Sequence, residues 1–445
     1  MKIQPVKGTR DFYPPQMAVR NWIIDGWKRV SVRNGFEEYD GPIFEYLDMY
    51  QIKSGEEIVE QLFSFEDRGG RKLAIRPEIT PTLARMVNQQ INSLPRPIKW
   101  FSVPRLCRAE RPQKGRLREF FQWNIDIIGI DDVLADAEVI FTTVDYLHEV
   151  GLTPKDIKVK ISSRKLLSAF LRGIGIHEEK LEAIYVVLDK KAKLPADTFE
   201  EILKKQVPDK KMAGKILDFM SVDSIPDVEK QMKLDSEEFR AWGEVKSVLG
   251  RLDMMGIGDF CRYDPSTVRG LAYYTGIVFE VHDIVGELRA ICGGGRYDNL
   301  LQDFGGPAVP ATGMGMGDCV LEILLREKGL LDRQLPVPKL DYFVAYVDET
   351  CKEAAVRVTM ELRSAGCPAN FSYKAGKLGK QLKEASGQNA EKCVIIGDEF
   401  KEKKLVIKDM GSGEQKVVSY EEFLDSCFLD SARDTLRRND KAAQK

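Results

Sequence analysis

The chain has 445 residues, with 67 Lys and Arg against 69 Asp and Glu and a formal net charge of -2. This length exceeds what one hydrophobic core organises, so we expect two or three domains. The balanced charge excludes a global basic field for nucleic acid, and any RNA contact must therefore be a local patch.

The chain begins with a turn-rich segment and an amphipathic helix. Apolar residues recur at helical spacing from about Gln16 to Asn34, and Gly35 suits the end of that helix. The next strand, within residues 36–44, is interrupted by Pro42. Because proline removes a ladder hydrogen bond, we expect this strand at a sheet edge or a subunit boundary.

Residues 62–81 predict a hairpin followed by a helix. Strands at 62–65 and 72–75 are joined by the turn sequence Asp-Arg-Gly-Gly, and the segment Arg-Pro-Glu-Ile-Thr-Pro follows at 76–81. One interpretation is that Thr80 and Pro81 only open the helix. The other is that Glu78 and Thr80, fixed between two prolines at a strand-to-helix turn, grip an ammonium group.

A predicted strand from Phe120 onward has one apolar and one hydrogen-bonding face, since successive side chains alternate. Such strands are common in sheets with one solvated side. Arg108 and Glu110, which precede the basic loop 111–116, also share a face. Guanidinium groups beside carboxylates and amides suit a zwitterion with a phosphate chain, so we favour a functional face. The apolar face holds Phe121, Trp123, Ile125 and Ile127, and the polar face holds Gln122, Asn124 and Asp126.

The middle of the chain is mostly helical. A helix at 131–147 and a short strand at 157–161 are followed by a charge-rich stretch from 164 to 250, in which no cluster suggests catalysis. We interpret this stretch as an insertion on the solvent side. A role for it in RNA contact is a hypothesis, because charge runs usually form solvated faces.

Three glycine-marked segments follow. Residues 269–276 read Arg-Gly-Leu-Ala-Tyr-Tyr-Thr-Gly and lead into a β-branched strand, and residues 292–298 read Cys-Gly-Gly-Gly-Arg-Tyr-Asp. An isolated tyrosine pair is often only a core corner. Residues 311–325 predict a strand with alternate glycines that runs into a helix.

The last part of the chain predicts a separate domain. A proline-marked linker at 329–338 precedes strands and helices that alternate as β-α-β-α-β, which predicts a parallel sheet within 339–430. The tail 431–445 is polar and basic, and we expect it to be disordered.

These segments together resemble the class II aminoacyl-tRNA synthetases, and in particular the histidyl-tRNA synthetase family. Residues 16–44 resemble motif 1, whose helix and strand form the dimer interface in that class. Arg108-Ala-Glu110, followed by Arg116 and Phe120, resembles motif 2. Residues 76–80, 269–276 and 292–298 resemble histidine-specific signatures, and 311–325 resembles motif 3 with Val320 where the family has an arginine for the ATP γ-phosphate.

The resemblance implies an α/β and α+β multidomain protein. Its class II antiparallel-sheet catalytic core would comprise residues 1–163 and 251–328, interrupted by the helical insertion 164–250. The linker 329–338 would lead to a C-terminal α/β anticodon-binding domain at 339–430, where lysines on the 374–383 segment would contact phosphates.

The implied reaction joins L-histidine to ATP as histidyl-adenylate and then transfers the histidyl group to the 3′ end of tRNA(His). Mg²⁺ would accompany ATP, with no metal held by protein side chains alone. Arg108 and Arg269 would be catalytic. Histidine would be bound by Glu78, Ile79, Thr80, Gln122, Asp126, Tyr273 and Tyr274. ATP and the acceptor stem would be bound by Arg108, Glu110, Gln113, Arg116 and Arg296.

Two alternatives remain at this point. A non-catalytic paralogue that senses histidine and regulates a partner enzyme is favoured by Val320 and opposed by the intact Arg108 and Glu110 and by the C-terminal domain. A different class II synthetase is opposed by the Tyr-Tyr-Thr-Gly string at 273–276.

The cysteine content and the first residues of the chain also indicate the cell compartment. Eight scattered cysteines without a Cys-x-x-Cys pair indicate a reducing compartment, and the first residues contain no apolar targeting segment. We therefore expect a cytoplasmic protein with no membrane contact, and motif 1 implies a homodimer.

Overall fold

A computed structural model describes residues 3–51, 62–191, 194–222, 236–268, 273–286, 288–335, 340–374 and 376–427. The chain divides into two compact units, Met1–Leu335 and Pro336–Lys445. No helix among these residues is long and apolar enough to cross a membrane.

The first unit contains two sheets. Its strands are β1 (Glu37–Glu38), β2 (Phe44–Tyr46), β3 (Phe63–Glu66), β4 (Lys72–Ile75), β5 (Ile98–Ser102), β6 (Arg105–Cys107), β7 (Glu119–Ile128), β8 (Ile157–Ser163), β9 (Cys261–Tyr263), β10 (Ile277–Asp283), β11 (Cys292–Arg296) and β12 (Ala311–Gly317). The large sheet has the order β1-β5-β7-β12-β11-β10-β8-β9, with β6 paired to β7, and the small sheet has the order β2-β4-β3. The β1–β5 and β8–β9 pairs are parallel, and the other pairs are antiparallel.

Helices cover the apolar side of the large sheet. The helices of the first unit are α1 (Pro14–Arg33), α2 (Leu47–Gln51), α3 (Thr80–Gln90), α4 (Leu134–Glu149), α5 (Arg164–Gly173), α6 (Glu178–Leu188), α7 (Ala196–Gln206), α8 (Lys210–Phe219), α9 (Ser236–Met254), α10 (Leu300–Asp303), α11 (Asp318–Glu327) and α12 (Leu330–Gln334). A 3₁₀ turn lies at Gly258–Phe260. In α1, Val19, Ile23 and Trp27 recur every four residues and are buried, because that spacing places them on one face.

Strand β7 has the two faces that its sequence predicted. Phe121, Trp123, Ile125 and Ile127 belong to the main hydrophobic core. The indole of Trp27 stacks on that of Trp123, with ring centroids 6.2 Å apart. The polar side chains of β7 therefore lie on the opposite face of the sheet.

The helices of residues 164–254 are not an independent solvent-side module. Leu166, Phe170 and Trp242 belong to the same core as the sheet residue Ile161. The ring of Trp242 also packs edge-on against Tyr263, with centroids 5.3 Å apart. Helical spacing was predicted correctly, but the sequence did not show that the apolar faces of these helices close the core of the first unit.

The expected linker begins as a helix. Leu331 in α12 is fully buried, and the amide of Gln334 donates to the carbonyl of Val150 at 3.1 Å. The first part of the expected linker 329–338 therefore belongs to the first unit. Its prolines at 336 and 338, and the tail 431–445, lie outside the described residues.

The second unit is a mixed sheet, which corrects the expected all-parallel one. Strands β13 (Leu340–Tyr346), β14 (Ala369–Phe371) and β15 (Ala390–Ile396) are parallel and connected by α13 (Lys352–Ser364) and α14 (Leu378–Gly387). Strands β16 (Lys404–Asp409) and β17 (Gln415–Ser419) add an antiparallel hairpin, giving the order β14-β13-β15-β16-β17. Short 3₁₀ turns lie at Glu349–Cys351 and Asp398–Glu402, and residues 420–427 are helical.

Candidate functional site

The turn between β4 and α3 holds two predicted site residues. Arg76 fixes this turn, since its guanidinium donates to the carboxylate of Asp40 at 2.6 Å and to the carbonyl of Gly41 at 2.8 Å. Glu78 is buried, with 5% of its surface exposed, and Thr80 is the first residue of α3. Thr80 does open a helix, and its side chain also faces a cavity together with Glu78.

The polar face of β7 forms the floor of this cavity beside a strand with alternate glycines. In the register of β7 with β12, Asp126 lies opposite Gly313 and Asn124 lies opposite Gly315. A Cβ added to Gly313 would lie 2.0 Å from Oδ1 of Asp126. The glycines therefore make room for the polar side chains of β7, which is the physical reason for the spacing in β12.

Arg108 reaches the cavity from the residue just beyond β6. Its Nε donates to the carbonyl of Pro77 at 3.0 Å, and its guanidinium lies over the ring of Phe120, 5.3 Å from the centroid. Its backbone N–H donates to the carbonyl of Arg118 at 2.9 Å. The guanidinium is thereby held at the turn that carries Glu78, the residue after Pro77.

Three tyrosines form an adjoining wall. Tyr273 packs on Tyr274 and on Tyr297, with ring centroids 5.0 and 5.8 Å apart. All three are at least nine-tenths buried. The phenol of Tyr297 donates to Oδ1 of Asp126. The aromatic wall therefore contacts the carboxyl group at the floor of the cavity.

The structure brings together residues that are far apart in the sequence. The cavity is lined by Glu78, Thr80, Arg108, Gln122, Asn124, Asp126, Tyr273, Tyr274, Gly293, Tyr297, Gly313, Met314 and Gly315. They come from six separate stretches: 78–80, 108, 122–126, 273–274, 293–297 and 313–315. Each stretch lies in a segment that the sequence singled out. A cation, carboxyl groups, amides and aromatic rings converge on one space, which suits a small amino acid with an aromatic side chain.

Burial perturbs the ionisation of the cavity floor. Desolvation raises the pKa of Asp126 to about 7, and the hydrogen bond from Tyr297 lowers it in part. Burial also raises the pKa of Tyr297 well above its ordinary value. The other carboxyl oxygen of Asp126 is buried without a hydrogen-bond partner among the described residues. Such an oxygen can receive a proton donor from a ligand.

The motif 2 loop lies next to the cavity rather than in its wall. Glu110 forms an ion pair with Arg116, and Gln113 and Arg116 exchange backbone hydrogen bonds at 2.9 and 3.0 Å. The loop rests on α11, since a Cβ added to Gly115 would lie 2.9 Å from Cγ2 of Val320. Val320, at the position where the motif 3 resemblance implied an arginine, therefore packs the loop against the helix.

Two predicted site residues are placed elsewhere. Arg296 was expected to bind ATP or the acceptor stem, but the structure directs its guanidinium into the fold. Its guanidinium is 2% exposed and donates to the carboxyl of Asp136 at 2.6 and 3.0 Å. The remaining N–H groups donate to the carbonyls of Ile130 and Asp132 and to the carboxyl of Asp298. All donors of the guanidinium are thus used within the fold.

Ile79 is the second correction. Its side chain is fully buried in an apolar cluster with Leu83 and Val87 of α3, so it does not face the cavity as a histidine contact. Arg269, the second predicted catalytic residue, lies outside the described residues.

Several cavity residues had no role predicted from the sequence. Asn124 was placed on the polar face of β7 but given no contact, and Tyr297 was seen only as part of a signature. The alternation in β7 could have indicated Asn124. No sequence signal could have paired Tyr297 with Asp126, because 171 positions separate them.

An antiparallel sheet that carries this cavity, followed by a separate α/β unit, defines a class II aminoacyl-tRNA synthetase. The family model described as histidyl-tRNA synthetase matches residues 8–317, and the model described as anticodon binding domain matches residues 341–427. The chain belongs to the histidyl-tRNA synthetase family. The predicted family, fold class and ligase activity are thereby confirmed.

Relatives and solved structures agree with this assignment. The chain is 40% identical to histidine–tRNA ligase, chloroplastic/mitochondrial, of Arabidopsis thaliana, over 93% of this chain and 84% of that protein. It is 39% identical to histidine–tRNA ligase of Opitutus terrae, over 92% of this chain and 94% of that one. The crystal structure of histidyl-tRNA synthetase from Nostoc sp. PCC 7120 superposes with a TM-score of 0.79 at 25% identity, covering 96% of this chain and 99% of that one.

Proposed function

We propose that this chain activates L-histidine with ATP to form histidyl-adenylate and transfers the histidyl group to the 3′ end of tRNA(His). The observation that carries this proposal is one cavity that Arg108 lines together with Glu78, Gln122 and Asp126. The carboxylate of the amino acid attacks the α-phosphate of ATP, the new bond to phosphorus forms, and pyrophosphate leaves. The protein contributes position and cationic stabilisation of the phosphoryl oxygens.

The residues divide by chemistry within the cavity. Glu78, Thr80 and Gln122 bind the ammonium group of histidine, since carboxylate, hydroxyl and amide oxygens accept its three N–H donors. Tyr273 and Tyr274 stack against the imidazole. Asp126 adds a second acidic contact to the substrate from the floor of the cavity.

Two arginines supply positive charge to the reaction. Arg108 binds the α-phosphate and the histidine carboxylate, and Arg269 stabilises the charge that develops on the phosphoryl oxygens, as the family resemblance implies. Glu110, Gln113 and Arg116 on the adjoining loop contact ATP and the acceptor stem. Mg²⁺ enters bound to the ATP phosphates, the usual arrangement for this cation. The described residues contain no group of three or more His, Cys, Asp or Glu side chains that could hold a metal.

A histidine-dependent exchange assay tests the reaction. The chain should exchange radioactive pyrophosphate into ATP only when L-histidine is present. Arg108→Ala should lower this exchange by more than about tenfold, because one charge-assisted contact to phosphate contributes roughly 1.5–3 kcal/mol. Arg357→Ala, on α13 of the second unit, is the control. Exchange with another amino acid, or none with histidine, would contradict the proposal.

The same assay decides the alternative of a non-catalytic histidine sensor, which Val320 favours. A structure described as an ATP phosphoribosyltransferase regulatory subunit/histidyl-tRNA synthetase from Bacillus halodurans C superposes with a TM-score of 0.73 at 22% identity, a likeness that concerns the fold alone. A sensor would bind histidine without exchanging pyrophosphate. Loss of exchange together with retained histidine binding would therefore favour that function.

A homodimer is the proposed assembly, through the small sheet. Phe44 and Tyr46 on β2 are 49% and 58% exposed, and Phe65 on β3 packs edge-on against Phe44. Exposed aromatic side chains in one patch are typical of interfaces. Phe44→Glu should shift the chain from dimer to monomer in analytical ultracentrifugation. Val186→Glu, at a 44% exposed position on α6, is the matched control.

The second unit is the proposed tRNA reader, at or near the anticodon. Lys374, Lys377, Lys380 and Lys383 are exposed along α14 and the segment before it. Their charges suit phosphate contacts. Lys377→Glu with Lys380→Glu should weaken tRNA binding while leaving histidine-dependent exchange unchanged. Equal loss of both would contradict this role.

Two further proposals concern the helical stretch and location. The stretch 164–250 contacts tRNA through its charged faces. Charge reversals rather than deletion should test this, because deletion would open the core. The cell compartment is the cytoplasm. The eight thiols, none in a disulfide, support a reducing compartment.

A further inference from the structure

The segment before α1 belongs to no strand or helix, yet it contacts three parts of the catalytic unit. Residues 7–12, which we call the N-terminal strap, begin at a turn closed by the Thr9 N–H donating to the carbonyl of Val6 at 3.1 Å. Gly8 adopts a positive φ of 89°, a conformation that other residues avoid. The path of the strap is therefore set by its own sequence.

The first contact of the strap is with the motif 2 loop. The carbonyl of Gly8 accepts from the N–H of Arg118 at 2.8 Å, and the carbonyl of Arg118 accepts from the N–H of Arg108 at 2.9 Å. Gly8 also fits closely against the loop, since an added Cβ would lie 2.7 Å from Cγ of Pro112. A continuous hydrogen-bonded path thus joins the strap to Arg108.

The side chain of Arg118 extends this path to the acidic residue of the loop. Its Nε donates to the carbonyl of Glu110 at 3.0 Å, and the carboxylate of Glu110 pairs with Arg116. We call Arg116 and Arg118 the loop cations. The position of Arg116 depends on Glu110 and thereby on Arg118, whose backbone N–H is bonded to Gly8.

The second contact is with the start of α11. Arg10 donates to Oδ2 of Asp318 at 2.6 Å, and Oδ1 of the same carboxyl accepts from the N–H of Phe121 on β7 at 3.0 Å. The Asp318 side chain is 5% exposed. Arg10 is 22% exposed, so its positive charge pairs with a buried carboxylate from the edge of the solvent.

The third contact is aromatic. Phe12 packs edge-on against Phe121, with ring centroids 6.2 Å apart, and the guanidinium of Arg10 lies 4.9 Å from the Phe12 centroid. The strap thereby joins the loop that carries Arg116, the strand that carries Gln122 and the helix that carries Val320.

We propose that the N-terminal strap positions the motif 2 loop for ATP, with Gly8 and Arg10 as positioning residues. This inference rests on the proposed ATP site of the loop and adds the element that holds it. Val320 provides no positive charge at the start of α11. The loop cations Arg116 and Arg118 therefore carry more of the phosphate binding. Their placement then depends on Arg10 joining α11 to the strap.

Steady-state pyrophosphate exchange with the full chain tests the proposal, with ATP and histidine varied separately. Arg10→Ala and Gly8→Ala should each raise the KM for ATP by about tenfold, equivalent to about 1.4 kcal/mol, and the KM for histidine by less than about threefold. The KM for histidine should rise less than the KM for ATP because histidine is also held by the sheet and by the turn at Glu78. Arg10→Lys should recover part of the ATP affinity.

Arg20→Ala is the matched control, since Arg20 lies over the same Phe12 ring at 5.4 Å and donates to Asn21. It should leave the KM for ATP within about twofold of the wild type. Arg10→Ala combined with Asp318→Asn removes the unpaired buried charge that Arg10→Ala alone would leave, and it should keep the fold with the raised KM for ATP.

Three results would overturn the inference: a KM for ATP within twofold in the folded Arg10 variants, equal rises in both KM values, or loss of folding in every strap variant. Each would mean that the strap acts on stability alone. Histidine-dependent exchange by the wild-type chain tests the ligase activity separately. Failure of the strap proposal can therefore be distinguished from failure of the proposed function.

Discussion

Tyr297 donates a hydrogen bond to Asp126 inside the cavity wall, and it is the phenol of this pair that holds the carboxyl in place. The other carboxyl oxygen has no hydrogen-bond partner among the residues that the structure describes. The pair therefore orients a single acceptor toward a ligand.

Removing the phenol should weaken histidine binding. Tyr297→Phe deletes one hydrogen bond to the carboxyl, which costs roughly 0.5–1.5 kcal/mol, or about threefold to tenfold in affinity. It should also raise the pKa of Asp126 further above about 7, because the bond that lowers it is lost. Calorimetric titration with L-histidine between pH 6 and 9 measures both effects. Unchanged affinity and an unchanged pH midpoint would show that Tyr297 only fills space.

Asp126 should make folding stability depend on pH. Its carboxyl has a pKa raised from 3.8 to about 7 in the folded chain, so the folded state binds the proton more tightly than the unfolded state. Wild-type stability should therefore fall as pH rises through that interval, by up to about 1.4 kcal/mol per pH unit, and become level above it.

Asp126→Asn lacks this titration, so the stability difference between wild type and variant should change with pH below about 7 and stay constant above. Denaturant unfolding of both proteins at pH 4.5, 6 and 8 measures it. A difference that is the same at all three values would rule out a buried, titrating carboxyl.

Gly313 should be intolerant of a side chain. An added Cβ would lie 2.0 Å from Oδ1 of Asp126 and 2.8 Å from the carbonyl of Ile125, and such overpacking costs about 1–3 kcal/mol. Gly313→Ala should therefore weaken histidine binding by about ten- to a hundredfold. The matched control in the same strand is Gly317→Ala, since nothing lies within 4 Å of its added Cβ. Similar affinities for the two variants would refute the steric argument.

Arg296 should act on stability rather than on ATP. Arg296→Met leaves Asp136, which is 1% exposed, without its ion partner, a change that costs about 3–5 kcal/mol. Adding Asp136→Asn should recover part of this loss. Lys204→Ala breaks an exposed pair with Glu200 and should cost less than about 1 kcal/mol. Denaturant unfolding ranks the three, and a raised KM for ATP in a fully stable Arg296 variant would restore the ATP role.

Introducing an arginine at position 320, where the motif 3 resemblance implied one, should lower activity. Val320 is 8% exposed and lies against Gly115, so a longer charged side chain must displace the motif 2 loop. Val320→Arg should reduce exchange by about tenfold, equivalent to about 1.4 kcal/mol, whereas Val320→Ala should stay within about threefold. Tighter ATP binding by Val320→Arg would instead show that the position accepts the family's cation.

The sequence determined the local structure and most of the cavity lining. Alternation in β7 separated Trp123 from Gln122 and Asp126, because successive side chains of a strand point to opposite faces. Glu78, Thr80, Arg108, Tyr273 and Tyr274 were recognised from their motifs, and the structure places all five around one space.

Tertiary structure decided which polar groups satisfy one another. Arg108 precedes the basic loop and Arg296 follows three glycines, so the sequence predicted a ligand contact for both. The guanidinium of Arg296 is bonded to Asp136 and to backbone carbonyls, whereas Arg108 lines the cavity. The antiparallel β16–β17 hairpin was not predicted from the sequence either. Its first strand, β16, is mostly polar, and only Leu405 and Ile407 are buried in it. Periodicity along the chain fixes the face on which a side chain lies. Ion pairs and burial depend on residues distant in sequence, such as Asp126 and Tyr297, and only the folded chain brings them into contact.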